Sequence, residues 1–316
     1  MHKPSLPKEF TDPSIIQTGF FIIYTFLVFL VPSLLAYWLL FVSSYLLIIA
    51  IPISLFLFII AGQGMHLMGW IGHDGLHFNL SRNRIVSSVI GILFSSATVS
   101  FVEMGMALDH WTHHRHTNTE KDPDLIMFHK HKNFITRMAF SRLRSNRHYM
   151  KQAYRIITRS PKIVNNKILL PFSYNIIRNL TIFNVLCCFM WLGLYLSLAW
   201  FNWKLMFCIF FPPMLFASII SGLRPYIEHN GTGQEIIDNT RTRTSKLWTA
   251  LDYGGNFHFE HHLYPTVPQW RLPGLHRYLK ENGIVSNHID TTFLKHYAYA
   301  SKKYQYPTSM TISNKD

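Results

Sequence analysis

Residues 13–73 read PSIIQTGFFIIYTFLVFLVPSLLAYWLLFVSSYLLIIAIPISLFLFIIAGQGMHLMGWIGH, without one Asp, Glu, Lys or Arg. A helix needs about 20 apolar residues to cross roughly 30 Å of hydrocarbon, so this run is too long for one crossing and suits two. The expected spans are Phe20 to Phe41 and Tyr45 to Gly64. The short uncharged turn at Ser43 and Ser44 makes them a tight antiparallel hairpin with both ends on one side. Two further charge-free runs, Asn179 to Trp203 and Leu205 to Leu223, predict a second hairpin: Leu180 to Phe201 and Leu205 to Gly222, with Asn202, Trp203 and Lys204 at its tip.

The composition agrees with a chain that lives in lipid. Of 316 residues, 49% are apolar, 15% aromatic and only 15% charged, against about 25% charged in ordinary soluble domains. Disorder is excluded, because 25 Phe, 15 Tyr and 8 Trp carry too much apolar surface to stay unfolded in water. A disulfide scaffold is excluded by three cysteines, Cys187, Cys188 and Cys208, all inside apolar runs. The net charge of +14 invites a nucleic-acid reading, but placement decides against it. Sixteen of the 30 Lys and Arg fall between Arg82 and Arg178 and eleven between Arg224 and Lys315, outside the spans. Basic loops flanking membrane spans are the positive-inside pattern, so the N-terminus, the central segment and the C-terminal third are expected in the cytoplasm, with no nucleic acid as partner. No cleavable signal pattern precedes the first span, and Lys302 onward reads as a polar tail.

Eighteen histidines are present, and eight fall into three groups. They are His73-Asp74-Gly75-Leu76-His77, His110-Trp111-Thr112-His113-His114 and His258-Phe259-Glu260-His261-His262. Residues at i, i+3 and i+4 share a helical face, so each group can aim its imidazoles at one place. A single H-x-x-x-H is an ordinary surface pair. Two H-x-x-H-H groups plus an H-x-x-x-H, all just outside apolar spans, point to a metal. His229, about seven residues past the last span, is a ninth candidate. His66 lies deeper on the same helix as His73. His116 points elsewhere, and His129, His131, His148, His276, His288 and His296 are expected to be solvated or packed.

The histidines constrain the topology. Ile85 to Val102 is eighteen residues without charge. One crossing there would put the first two groups on opposite faces, roughly 30 Å apart. A stretch at about 85–102 that lies in the interface, or loops there and back, leaves all three groups on the cytoplasmic side. The expected fold is therefore all-α and integral to the membrane, a single domain over 1–316. Four transmembrane helices at about 20–41, 45–64, 180–201 and 205–222 form two hairpins, accompanied by interfacial helices and a cytoplasmic histidine-rich cap.

In their local contexts these groups read Gly72-His73-Asp74-Gly75-Leu76-His77, His110 to His116 followed by Asp122-Pro123-Asp124, and Phe257-His258-Phe259-Glu260-His261-His262-Leu263-Tyr264-Pro265. With the order span pair, box, box, span pair, box, the chain resembles the membrane fatty-acid desaturase and hydroxylase superfamily over roughly Phe20 to Leu279. The resemblance implies two iron ions in a non-haem di-iron centre that activates O2 and abstracts hydrogen from an unactivated C–H bond. Spacing alone leaves iron and zinc open, since imidazole suits both. By position, the implied ligands are His73, His77, His110, His113, His114, His229, His258, His261 and His262. Asp74, Asp109 and Glu260 stand where carboxylates could hold ring N–H groups.

The first box, with three residues between its histidines, is similar to acyl-lipid desaturases and carotenoid ketolases, whereas acyl-CoA desaturases typically have four. Substrate expectations are therefore lipid acyl chains first, with carotenoid ketolation or hydroxylation, or another lipid hydroxylation, as the alternative. Neither a fused cytochrome motif, a Gly-rich dinucleotide fingerprint nor C-x-x-C is seen, so electrons are expected from a separate donor, a ferredoxin-like or other carrier. Two other classes fit poorly. A metal transporter needs ionisable ligands at the midplane of its spans, which hold only His66 near one end. A membrane zinc hydrolase usually carries a carboxylate base in a motif such as H-E-x-x-H, which the chain lacks.

Overall fold

The computed structural model describes residues 3–100, 103–164, 170–292, 294–295 and 297–302. Phe101 and Val102 of the expected interfacial stretch, His296 and the polar tail past Lys302 lie outside them. The described elements in chain order are α1 Lys8–Thr11, α2 Ile15–Phe41, α3 Leu47–Leu76, α4 Arg84–Ser95, α5 Glu103–His116, α6 Pro123–Phe128, α7 Phe134–Ile157, α8 Pro161–Val164 and α9 Tyr174–His229. They continue with β1 Thr242–Arg243, α10 Lys246–Leu251, α11 His258–Leu263, α12 Leu272–Glu281, β2 Ile289–Asp290 and α13 Tyr297–Ser301. The only sheet among the described residues is the two-residue parallel pair β1–β2. The fold is all-α and integral to a membrane, as the hydropathy pattern predicts.

Two compact units divide the chain. One comprises Pro13–Glu103 and Asn175–Ser221; the other comprises Met1–Asp12, Met104–Tyr174 and Gly222–Asp316.

The first unit holds the apolar helices. Among the described residues α2, α3 and α9 are long and apolar enough to cross a membrane. The Ser14 side chain caps α2 by accepting from Gln17 N. At 56 residues α9 would run about 84 Å if straight. It does not, because Asn202 leaves helical geometry (φ −153°, ψ 85°). Its Oδ1 accepts from Leu205 N at 3.0 Å, capping a new arm, while its Nδ2 donates to the Tyr37 hydroxyl at 2.9 Å. The arms then fold back on each other, with the Tyr195 and Phe210 rings 4.7 Å apart. The expected second hairpin is thus one helix broken at the residue expected at its tip. Trp200 is 88% and Phe201 84% exposed, a surface suited to lipid and not to water.

Sequence reading places the first histidine box just past a span ending near Gly64. Instead, α3 runs on to Leu76 and carries the box in its last turn, with His77 at the C-cap. The glycines here are sites of close approach. A Cβ on Gly64 would stand 2.4 Å from Phe29 N, and one on Gly75 2.7 Å from Gly91 Cα, so α2 and α4 each pack backbone to backbone on α3. Ser87 reinforces the second contact by donating to Gly75 O at 3.1 Å and accepting from Leu80 N at 3.1 Å.

The 85–102 stretch is not one rod. α4 has 12 residues, about 18 Å, too short to cross. Its Asn83 cap accepts from Ile85 and Val86 N, and a 3-10 turn, Ser96–Thr98, ends at Val99 in left-handed geometry (φ 49°).

The second unit gathers short helices. α7 opens with a capping box between Asn133 and Thr136. Its fully buried Arg137 donates to the carbonyls of His131, Ala300 and Lys302 at 3.0, 2.7 and 2.6 Å, tying α7 to the chain after α13. A core of Phe257, Phe259, Leu263, Val267, Leu272 and Leu275 packs α11 on α12.

Candidate metal centre

Seven of the nine expected ligands belong to the second unit and converge there. α5 brings His110, His113 and His114, the end of α9 brings His229, and α11 brings His258, His261 and His262. Four of them, His113, His229, His258 and His262, are buried, and one ring nitrogen from each lies within 4.8 Å of all the others. His229 Nε2 and His258 Nε2 are 3.0 Å apart. The remaining three form a second set: His114 Nε2 lies 3.0 Å from both His110 Nε2 and His261 Nε2. The sets adjoin, with the His114 and His262 rings 4.2 Å apart.

The donors fit cations. One ring nitrogen holds either one proton or one lone pair, so His114 Nε2 cannot serve two ring nitrogens well, whereas a shared ion can. Metal–imidazole bonds of about 2.0–2.1 Å put neighbouring ligand nitrogens about 3 Å apart, the spacing seen. His262 Nε2 is buried with no hydrogen-bond partner. Burial, followed by the charge of neighbouring imidazoles, holds His258 and His262 well below the ordinary histidine range. They are neutral at pH 7, as ligands must be.

Groups behind the rings set which nitrogen faces inward. His229 Nδ1 lies 3.2 Å from the Asn239 carbonyl, and His262 Nδ1 lies 3.2 Å from the Thr117 hydroxyl. His113 Nδ1 donates to Asp122 Oδ1 at 2.9 Å. Burial alone would depress His113, but Asp122 and Asp124 overcome it and raise the ring to about 9, so without an ion its inward nitrogen carries a proton that a bound cation would displace. Asp122 also accepts from Asn118 N at 2.8 Å and, as cap of α6, from Asp124 N at 2.9 Å. Burial favours its neutral form, yet His113 and the Asn118 N–H together hold the carboxyl below its usual range.

The expected carboxylates act differently. Asp109 takes His148 Nε2 at 2.7 Å, and Glu260 takes His276 Nδ1 at 2.6 Å and the Thr242 hydroxyl at 2.6 Å; neither histidine is an expected ligand. Their side chains lie behind the helices, so they brace α5 on α7 and α11 on α12 and β1. Near His258, Glu228 Oε2 stands 3.4 Å from Nε2 while Oε1 pairs with Arg224 at 2.6 Å, and Arg243 joins Asp252 at 3.0 Å. Sequence reading missed Asp122, Thr117, Asn239 and Glu228. Asp122-Pro123 carried a signal, since Asp before Pro is a helix cap that brings a carboxylate back towards box two.

His73 and His77 belong to the first unit. Both are buried at the end of α3, with rings 4.6 Å apart, and Asp74 Oδ1 lies 3.6 Å from His73 Nδ1. His66 is engaged locally, accepting from Trp70 Nε1 at 3.0 Å. His129 reaches the Ile126 carbonyl at 2.7 Å and His288 pairs with Asp238 at 2.8 Å.

Comparison with known proteins gives two findings. A family model described as fatty acid desaturase matches residues 49–288, most of the chain. A stretch of 76 residues is 37% identical to a beta-carotene ketolase of Paracoccus sp. (strain N81106 / MBIC 01143), covering 22% of this chain and 31% of that protein. The chain thus spans under a third of the length of this curated relative.

Proposed function

The chain belongs to the fatty acid desaturase family, and from that premise we propose that it is an O2-dependent desaturase of lipid acyl chains that works through a non-haem di-iron centre. The observation that carries the reading is the convergence of His113, His229, His258 and His262 within 4.8 Å, beside the trio His110, His114 and His261. His73 and His77, from the first box, are the other two of the nine proposed ligands. Iron held by them supplies activation of O2 and removal of hydrogen from an unactivated C–H bond.

The remaining work falls to the protein. Asp122, Thr117 and the Asn239 carbonyl orient imidazoles, so that little reorganises when the ions bind. Phe259 and Leu263, fully or almost fully buried in the core between α11 and α12, hold the helix that carries the third box in place. The substrate is a lipid-borne chain that enters from the bilayer. Electrons come from a separate ferredoxin-like or other carrier, and the basic surface suits an acidic one. The termini and histidine boxes face the cytoplasm, in a bacterial inner membrane, because Lys and Arg crowd that side of the spans.

The stretch similar to a beta-carotene ketolase favours a second reading, ketolation or hydroxylation of a carotenoid or other lipid. Both reactions begin with removal of one hydrogen. Loss of a second hydrogen then gives a double bond, whereas transfer of one oxygen atom gives a hydroxyl, and a second transfer at the same carbon followed by loss of water gives a keto group. Expression in a host with native fatty acids, with and without carotenoids, followed by lipid profiling, separates them. A new acyl double bond supports the desaturase, and an oxygenated carotenoid replaces it with the second reading. A His113→Ala variant that makes either product at the wild-type rate removes the proposed centre altogether.

A further inference from the structure

α7 presents two faces of different chemistry. Its inner face, Arg137, Ser141, Ser145, Tyr149 and Ala153, is buried. The Arg137 contacts and the Ser141 hydroxyl, which donates to Gly222 O at 2.9 Å, fix the helix's rotation. The outer face is not the polar surface expected of a cap. Ile135, Leu143, Met150 and Tyr154 are 63, 64, 49 and 68% exposed. At 3.6 residues per turn they fall in one stripe, and exposed Arg144, Arg147 and Lys151 form a second stripe about a quarter turn round. The helix contains no Asp or Glu.

We propose that α7 lies in the boundary layer of an anionic lipid bilayer, with its apolar stripe against the acyl chains and its basic stripe on the phosphate headgroups. Three observations select lipid over a protein partner. The apolar row from Ile135 to Tyr154 is about 29 Å long and covers roughly a quarter of the helix's circumference, the shape of an extended line of contact and not of a compact docking patch. An apolar face flanked by Arg and Lys is the pattern of surface-seeking helices, and uniform positive charge complements anionic headgroups. The chain is also anchored in a bilayer by α2, α3 and α9, so lipid is a surface that every copy meets.

The test uses the full chain with Leu143→Cys, carrying a nitroxide, in a background where the buried Cys187, Cys188 and Cys208 are alanine. The protein is placed in nanodiscs of phosphatidylcholine alone or mixed with phosphatidylglycerol. The expected result is that in anionic discs the label meets dissolved O2 far more readily than a water-soluble nickel chelate. Replacing Arg144, Arg147 and Lys151 with Gln should raise nickel access several-fold while leaving iron content unchanged. Three results would overturn the proposal: a label equally open to water in both discs, immersion indifferent to lipid charge or to the three substitutions, or protection that appears only on adding an acidic electron carrier.

Discussion

The Thr117 hydroxyl fixes the tautomer of His262. It donates to the His113 carbonyl at 2.8 Å, so at 3.2 Å from His262 Nδ1 it has only a lone pair to offer. Nδ1 must therefore carry the proton, and Nε2 turns its lone pair inward. One hydroxyl from the residue that follows α5 thereby aligns a ligand on α11.

Thr117→Val keeps the shape and removes that acceptor. Outer-group losses of this kind typically cost 10–100-fold in metal affinity. Competition with a chelator should show a loss in this range, with Thr117→Ser close to wild type. Wild-type iron retention in Thr117→Val, across the full chelator series, would mean that the tautomer is set elsewhere.

Asp122 combines two roles that substitution can separate. As an α6 cap, Asn serves about as well as Asp, so Asp122→Asn should cost the helix little. As the partner of His113, the carboxylate supplies charge that Asn lacks. The prediction is iron affinity about 10-fold or more lower, together with a modest fall in the melting temperature of the metal-free protein from loss of the buried His113–Asp122 attraction. A drop in that melting temperature with iron affinity intact would reverse the assignment of roles.

The sequence carried the membrane architecture because the absence of charge over 61 residues, 13–73, is a signal that no soluble packing imitates. It also carried six of the seven converging histidines, since i, i+3, i+4 spacing is a local property of α5 and α11, while the seventh, His229, stood out only by its position just past the last span. Helix ends were harder to place. Nothing in Gln63 to Trp70 breaks a helix, and Gly62 and Gly64, where the expected span ends, are close contacts with α9 and α2, visible only once those helices are packed. The supporting groups were the least legible. Thr117, Asn239 and Glu228 act through partners up to 145 positions away, and no spacing rule reaches so far. Asp109 and Glu260, picked for being adjacent to ligands, face outward for the same reason that their neighbours face in: on a helix, i and i+1 point about 100° apart.

Gly75 tests the packing of the first box. Gly75→Ala would push a methyl to 2.7 Å from Gly91 Cα, where backbone and not a flexible side chain must move. Overpacking of this kind costs about 1–3 kcal/mol. The variant should lose activity faster on heating. Gly19→Ala, with nothing within 4 Å, should be neutral or slightly stabilising. Equal thermal inactivation of the two variants would show that the close approach of α4 to α3 is not maintained in the membrane.

Removing the metal should destabilise the cap. Without a cation, the buried Nε2 atoms of His229 and His258 face each other at 3.0 Å and His262 Nε2 has nothing to bond. A bound ion favours the folded state by RT ln(1 + [L]/Kd), about 4 kcal/mol at a thousandfold excess over Kd. Stripping with a chelator should therefore lower the melting temperature by several degrees. Fe(II) and Zn(II) should both restore it, since imidazole accepts either, but only Fe(II) should restore turnover. If fully iron-free protein, verified by elemental analysis, melts where the loaded protein does, the imidazoles are not holding the ions and the centre must be sought elsewhere in the chain.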